Sequence, residues 1–417
     1  MNSFQKYYIF LKEKNITQFN ELKEFVQQDC YKLKIKEDKE LDNVALIYSN
    51  HESNINEELV LFFNGVIIEK SSLKIICYTF DKCKEDNIFE DKLLNSELYI
   101  EPTYEGTLIR LFHYNNKWNI STKKMINALN ARWTSSKSFG EMFLEIFDSS
   151  ILEKLNKDHC YSFVMSHNDN NIIYKYSSNF LIHISSVDLM NQVEIESDIG
   201  IKKNTRIKIE FEKEKLLEYI EDLKNNTSMD ESGYILINTN YVRQKINKKN
   251  YLYYRNLWGN TNNRLFRYLH LRKNNELLVQ YLNFFKDDKV KFLNYEHYLI
   301  NISNFILNLY RSKFMLKQKI NTPFYLKDII YKIHGLYLKT KNKVTFQDIN
   351  VLLYELDEKK FCFIINHIEK DMKKYEEEQR KIKEQEEQET KMQDDTVIHS
   401  EVNNENNELS TSTEMTA

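Results

Sequence analysis

Glycine and proline are scarce, 7 and 2 among 417 residues. With so little of either, collagen-like and Gly/Ser-linker architectures are excluded, and a glycine-rich loop of the Walker or dinucleotide type has almost nothing to be made from. No window approaches 18 apolar residues without a charge, which argues against a membrane span, and the opening MNSFQKYYIFLKEKN lacks a small-residue cleavage site after its short apolar stretch. These features read as a soluble, cytoplasmic protein without membrane contact. The five cysteines (Cys30, Cys77, Cys83, Cys160, Cys362) are odd in number, scattered and free of any CxxC, so they support neither a disulfide framework nor a zinc site. What the chain does have is 41% hydrophobic and 13% aromatic residues, enough for a sizeable core and two or three domains. Its wealth of Lys, Asn, Ile and Tyr reflects AT-rich coding. The net charge of -3 hides a division: residues 371–417 carry 14 acidic and 6 basic side chains, leaving a mildly basic body and an acidic tail.

The spacing of apolar residues divides the chain further. Between 59 and 115 the runs LVLFFNGVIIEK, LKIICYTF, ELYIEP and GTLIRLFHY predict strands of one meandering sheet. A helix is expected from Ser136 to Leu155 with Ser138 as its cap, then strands at CYSFVM, NIIYKY and NFLIHIS, a helix over 212–224 and a strand at GYILINT. From about Tyr251 the period changes to 3.6, and four or more amphipathic helices form a second region. The expected organisation is a sheet-rich domain at 1–255, an all-helical domain at 256–370, and at 371–417 a charged helix followed by a disordered acidic tail. The fold class is therefore α+β, antiparallel sheets with helices followed by a helical C-terminal domain.

The segment EPTYEGTLIRLFHYNNKWNISTKKMI (101–126) is a strand, an acidic-Gly turn, two further strands and a Ser-Thr-Lys-Lys ending. It resembles the ATP-dependent RNA ligases of the phage type, in the nucleotidyltransferase superfamily that also holds DNA ligases and mRNA capping enzymes. In that family a lysine three residues before a glycine, in the pattern K-x-(D/E)-G-(S/T), takes up the adenylyl group of ATP. Glu105, Gly106 and Thr107 match the pattern. CYSFVMSHNDNNIIYKYSSNFLIHISSVD resembles the family's nucleotide-binding strand pair, MDESGYILIN its E-G-Y-V strand, and VRQKINKKNYLYYRNLWGNTNN its basic K-x-K strand, so the resemblance runs from about 59 to 263.

The departures fall on the reacting positions. Thr103 stands at the nucleophile position, and a hydroxyl supplies no amine for a phosphoramidate. Ser162 replaces a carboxylate, Ser232 precedes Gly233 so that Glu231 is displaced by one residue, and Lys245 is kept while Asn247 takes the second position of the K-x-K pair. Nucleotidyl transfer needs that amine, carboxylates that organise Mg²⁺, and lysines that balance phosphate charge. The resemblance therefore implies a degenerate, catalytically inactive protein with nucleotide-pocket positions Glu105, Gly106, Lys123, Ser162, Glu231 and Lys245. RNA would be held by Lys123, Lys124, Lys245, Lys248 and Lys249. ATP and Mg²⁺ enter only if the protein is active, and no metal ligands are expected; His159, His167 and His183 lack metal spacing and read as surface or core residues. Two alternatives stay open: a working RNA ligase using another lysine (Lys70, Lys117, Lys123 or Lys124), and an interaction module whose acidic tail docks a basic protein.

Overall fold

The computed structural model describes residues 3–83, 91–94, 96–170, 172–210 and 213–411. The chain divides into two compact units, Met1–Asn262 and Asn263–Ala417. In the first unit the helices are α1 (Ser3–Glu13), α2 (Phe19–Val26), α3 (Glu58–Phe62), α4 (Asp91–Leu94), α5 (Phe139–Ile146), α6 (Lys213–Asn225) and α7 (Lys249–Trp258). Its strands are β1 (Lys34–Glu37), β2 (Val44–Tyr48), β3 (Asn64–Glu69), β4 (Ile75–Cys77), β5 (Leu98–Thr103), β6 (Thr107–Tyr114), β7 (Lys117–Thr122), β8 (His159–Ser166), β9 (Phe180–Asp188), β10 (Val193–Ile195), β11 (Ile207–Ile209), β12 (Gly233–Asn238) and β13 (Arg243–Asn247).

These strands make three antiparallel sheets, ordered β1-β2-β3-β4, β10-β9-β8-β6-β7 and β11-β5-β12-β13. The single meander expected from 59 to 115 is thus shared among all three. The reason lies in which faces need cover. On the first sheet, Ala45, Ile47, Val66 and Ile68 bury against Phe4, Tyr7, Leu22 and Val26 of α1 and α2, while Val44, Leu46, Ile67 and Cys77 meet Phe112 and Cys160 of the second sheet. The second sheet covers its other face with α5, Ile109, Leu111, Phe163 and Met165 packing on Met142 and Phe143. In the third sheet Leu98, Ile100, Leu236 and Ile246 pack on Leu216 and Ile220 of α6, which leaves the other face of β5, with Tyr99, Glu101 and Thr103, for polar work.

Local chemistry shortens the helix expected at 136–155. Ser138 does cap it: its Oγ accepts from the Glu141 N–H at 3.2 Å, and the Glu141 carboxylate accepts from the Ser138 N–H at 2.6 Å. Asp148 then accepts from the Ser150 N–H at 2.9 Å and starts a separate 3₁₀ turn at Ser149–Lys154. The expected strand at NIIYKY is also absent, because its amides turn to a side chain described below.

The second unit holds α8 (Arg264–Leu271), α9 (Asn275–Phe284), α10 (Asp288–Tyr310), α11 (Lys327–Thr340), α12 (Phe346–Tyr354) and α13 (Glu358–Thr411). The domain boundary expected at 255 falls inside α7, which belongs to the first unit; the Tyr251 ring packs on Tyr174 at 5.4 Å. With no glycine or proline from 358 to 411, α13 runs on to Thr411, and only 412–417 of the expected tail lie outside the described residues. Among the described residues no helix is long and apolar enough to cross a membrane.

Candidate functional site

The register of the third sheet builds one wall of a polar cleft. Thr103 on β5 lies opposite Gly233 on β12, which lies opposite Asn247 on β13; two residues along, Glu101, Ile235 and Lys245 are aligned in the same way. Directly opposed residues share a face, so Thr103, Glu101, Asn247 and Lys245 stand on one side and the α6 core on the other. Glycine is required at 233 because a Cβ there would lie 2.1 Å from the Ile246 carbonyl oxygen. Ser232 donates from its N–H to the Thr103 carbonyl at 2.7 Å, and the two hydroxyls are 3.2 Å apart. Thr103 and Ser232, both singled out in the sequence, thus meet as a Thr-Ser pair.

The facing wall comes from the second sheet. Lys123 follows the end of β7 at Thr122, where Arg110 of β6 donates to the Thr122 carbonyl at 2.6 Å and to the Gly65 carbonyl. Gly65, at φ +93°, lets β3 approach so closely that a Cβ would sit 2.7 Å from the Lys123 carbonyl. Lys123 is half-buried, and burial above all, with the charges of Lys82, Arg110 and Lys245 outweighing the opposing effect of Cys83, brings its amine down to about 8. Lys123 and Lys245 therefore converge from two sheets. Ser162, in register with Arg110 and Ser185, is fully buried and spends its hydroxyl on Thr79 Oγ1 at 3.0 Å.

The remaining positions are placed differently. The Glu105 carboxylate accepts from the Ile173 and Tyr174 amides at 3.0 and 2.6 Å, and the Glu105 N–H donates to the Tyr176 hydroxyl at 3.0 Å. This pins 173–176 as a loop and explains the missing strand. Burial dominates over those two hydrogen bonds and raises the Glu105 carboxyl to about 7. Gly106, beside it, is exposed. Glu231 pairs with Lys248 Nζ at 2.9 Å, and the Lys248 side chain, wholly buried, also donates to the Ser228 carbonyl and lies 5.6 Å from the Tyr234 ring centroid. Of the five lysines expected to hold RNA, Lys248 is fully buried. Lys248 is an odd number of residues from Lys245 and turns to the opposite side of the chain, where it serves as an internal counterion. Lys249 is exposed and paired with Glu221 at 2.5 Å, and Lys124 is exposed.

The sequence reading also underestimated carboxylates. At the other end of the cleft Arg206 binds Glu101 and Glu196, Lys203 binds Glu196 at 3.1 Å, and Arg243 donates to Glu194 at 2.8 Å in a two-pronged contact. Glu101, Glu194, Glu196, Lys203, Arg206 and His183 contribute to the lining of a cavity of about 210 Å³. Two buried acceptors among its lining residues, His183 Nδ1 and Asn204 Oδ1, have no partner. Burial, helped by Lys203, lowers His183 to about 4 and keeps it neutral. A usable signal existed: Glu101 precedes Thr103 by two residues and Arg243 precedes Lys245 by two, the spacing that puts strand residues on one face. No group of three or more His, Cys, Asp or Glu able to hold a metal ion occurs among the described residues.

Comparison with known proteins gives distant similarities. No family model matches the chain. It is 25% identical over 308 residues to the immediate-early protein ICP-46 homolog of Invertebrate iridescent virus 6, covering 67% of this chain and 64% of that protein. To the homolog of the same name in Invertebrate iridescent virus 3 it is 27% identical over 132 residues, 28% of this chain and 30% of the relative. The chain thus spans somewhat less than two thirds of the first relative and under a third of the second. Among solved structures, an archaeal ATP-dependent RNA ligase is similar with a TM-score of 0.41 and 10% identity, over 67% of this chain and 70% of that one. A Naegleria gruberi RNA ligase solved with ATP and Mn gives a TM-score of 0.36 and 9% identity, over 43% and 58%.

Proposed function

We propose that this chain is a degenerate nucleotidyltransferase of the RNA-ligase lineage that no longer transfers nucleotides and uses its cleft to hold a phosphate of an RNA backbone. The observation that carries the reading is the approach of Lys123 and Lys245 from two sheets to a site where Thr103 and Ser232 meet hydroxyl to hydroxyl. Two cations beside the Thr103 hydroxyl neutralise a phosphodiester and donate to its oxygens, and Thr103 supplies no amine for adenylyl transfer. In this reading the protein works in a cytoplasm-like compartment, and the acidic stretch 371–417 is where a basic protein partner would bind.

The test has two arms. The full chain is incubated with Mg²⁺ and ATP labelled at the α-phosphate, and its affinity for a fluorescent single-stranded RNA is measured at two salt concentrations. No covalent label on wild type or on Thr103→Lys, together with an RNA affinity that falls steeply with salt, is expected. Absence of RNA binding at low salt would overturn the reading.

One observation favours a second reading, an active ATP- and Mg²⁺-dependent RNA ligase with a relocated nucleophile. Of the four alternative lysines, Lys70 pairs with Glu37 at 2.8 Å and Lys117 and Lys124 are exposed, whereas Lys123 is an amine lowered to about 8 inside the cleft. Label on wild type that disappears in Lys123→Ala would establish this reading in place of the first.

A further inference from the structure

Beneath the cleft the first two sheets meet at a pair of thiols. Cys77 ends β4, Cys160 lies near the start of β8, both are fully buried, and their sulfurs are 3.3 Å apart. Beside them lies Arg110, also fully buried. Its guanidinium is bound to two main-chain carbonyls, its Nε has no partner, and no carboxylate among the described residues pairs with it. Arginine does not give up its proton in a protein, so a charge in this position calls for an anion. The two sulfurs are the ionisable groups at hand. Burial alone would raise Cys77, but a hydrogen bond from Cys160, the charge of Arg110 and a contact with Ser121 Oγ at 3.9 Å together lower it, while burial and its neighbour Cys77 raise Cys160. Cys160 and Arg110 both favour an anionic Cys77 sulfur, and because both thiols are fully buried only a small oxidant reaches them, through a transient opening of the fold.

We propose that Cys77 and Cys160 are a site of reversible oxidation, at which hydrogen peroxide converts the two thiols into a disulfide that ties the first sheet to the second beneath Arg110. In the first step the Cys77 thiolate attacks the peroxide; an S–O bond forms, the O–O bond breaks, and the leaving hydroxide takes a proton to become water. In the second the Cys160 sulfur attacks the Cys77 sulfenic acid; the S–S bond forms, the S–O bond breaks, and the Cys160 proton leaves with the oxygen as a second water. Sulfur is oxidised and peroxide reduced, and an external dithiol reverses the change. Closing the bond needs a movement of only about 1.2 Å, from 3.3 Å to a disulfide length. The bond removes the anion beside Arg110, whose own hydrogen bond fixes Thr122 immediately before Lys123.

The full chain, folded, is treated with hydrogen peroxide, blocked with N-ethylmaleimide, digested and analysed by mass spectrometry, with a parallel sample in urea. A single cross-linked peptide pair containing Cys77 and Cys160, formed in the folded sample and lost on adding dithiothreitol, is expected. Cys160→Ser should leave Cys77 as a sulfenic acid captured by dimedone, and Cys77→Ser should leave Cys160 unmodified. Linkage through the exposed Cys30, or a 77–160 link that forms in urea but not in the folded protein, would overturn the proposal. The wild-type comparison decides even where a serine variant does not fold.

Discussion

The two ends of the cleft use the same residue types to opposite effect. At one end Arg206, Lys203 and Arg243 are each closed off by a carboxylate, and the charges cancel within a few ångströms. At the other Lys123 and Arg110 form no carboxylate pair among the described residues, and Lys123 bears the mark of this in an amine lowered to about 8. Paired ions hold a wall together; cations gathered without anions wait for one. The position of a lysine in a sequence motif therefore says less about binding than whether the fold supplies its counterion, as Lys248 shows by being kept, buried and spent on Glu231.

The comparison breaks most visibly at Arg110. Arg110→Leu removes the donors to the Gly65 and Thr122 carbonyls in a site without water access, and the loss should be about 3 kcal/mol in urea unfolding. An unchanged midpoint would mean that the cationic end is not organised from below. Next in size, Lys123→Ala and Lys245→Ala should each weaken RNA binding roughly tenfold and flatten its salt dependence by about one phosphate, whereas Lys203→Ala at the paired end should leave affinity unchanged. Equal losses at all three lysines would erase the distinction between the ends.

Titration sharpens the contrast. RNA affinity should fall as pH rises through about 8, where Lys123 loses its proton, and this step should be missing in Lys123→Ala. For folding, the unfolded chain keeps that proton up to about 10.5 while the folded chain releases it near 8. The unfolded state binds more protons in that window, so the contribution of Lys123 to stability rises with pH across it. His183 acts at the paired end with the same sign at lower pH: it stays neutral in the fold down to about 4 but protonates near 6.5 when unfolded, so its contribution is complete above 6.5 and lost as pH falls towards 4. Comparing denaturation of wild type and His183→Gln between pH 4 and 7 checks this. The smallest effects belong to the exposed lysines: Lys249→Ala and Lys124→Ala should change stability by less than about 0.5 kcal/mol in the same unfolding assay.

Much of this arrangement was legible in the residues. The strands at 98–114 and 159–166, the cap at Ser138, the α+β class and the helical second unit follow from alternation, turn residues and the change to period 3.6. The sheet partners did not follow, since β5 pairs with β11 and β12 across more than a hundred residues and nothing local in ELYIEP specifies that. Glu105 reads as a motif residue but acts as a clasp on 173–174, because a carboxylate near free amides takes them wherever the chain brings them. Arg243 and Glu101 obey the same period-2 rule, each two residues from a motif position, but no local motif marks them. The Cys77–Cys160 contact, 83 residues apart, has no sequence signature at all.

Glycine is encoded by guanine-rich triplets, and an AT-biased coding sequence drifts away from it. Against that drift Gly65 and Gly233 remain where a methyl group would strike a carbonyl oxygen at 2.7 and 2.1 Å. Both flank the cleft, one beneath Lys123 and the other opposite Thr103, so the two walls stand on points where the backbone admits no side chain.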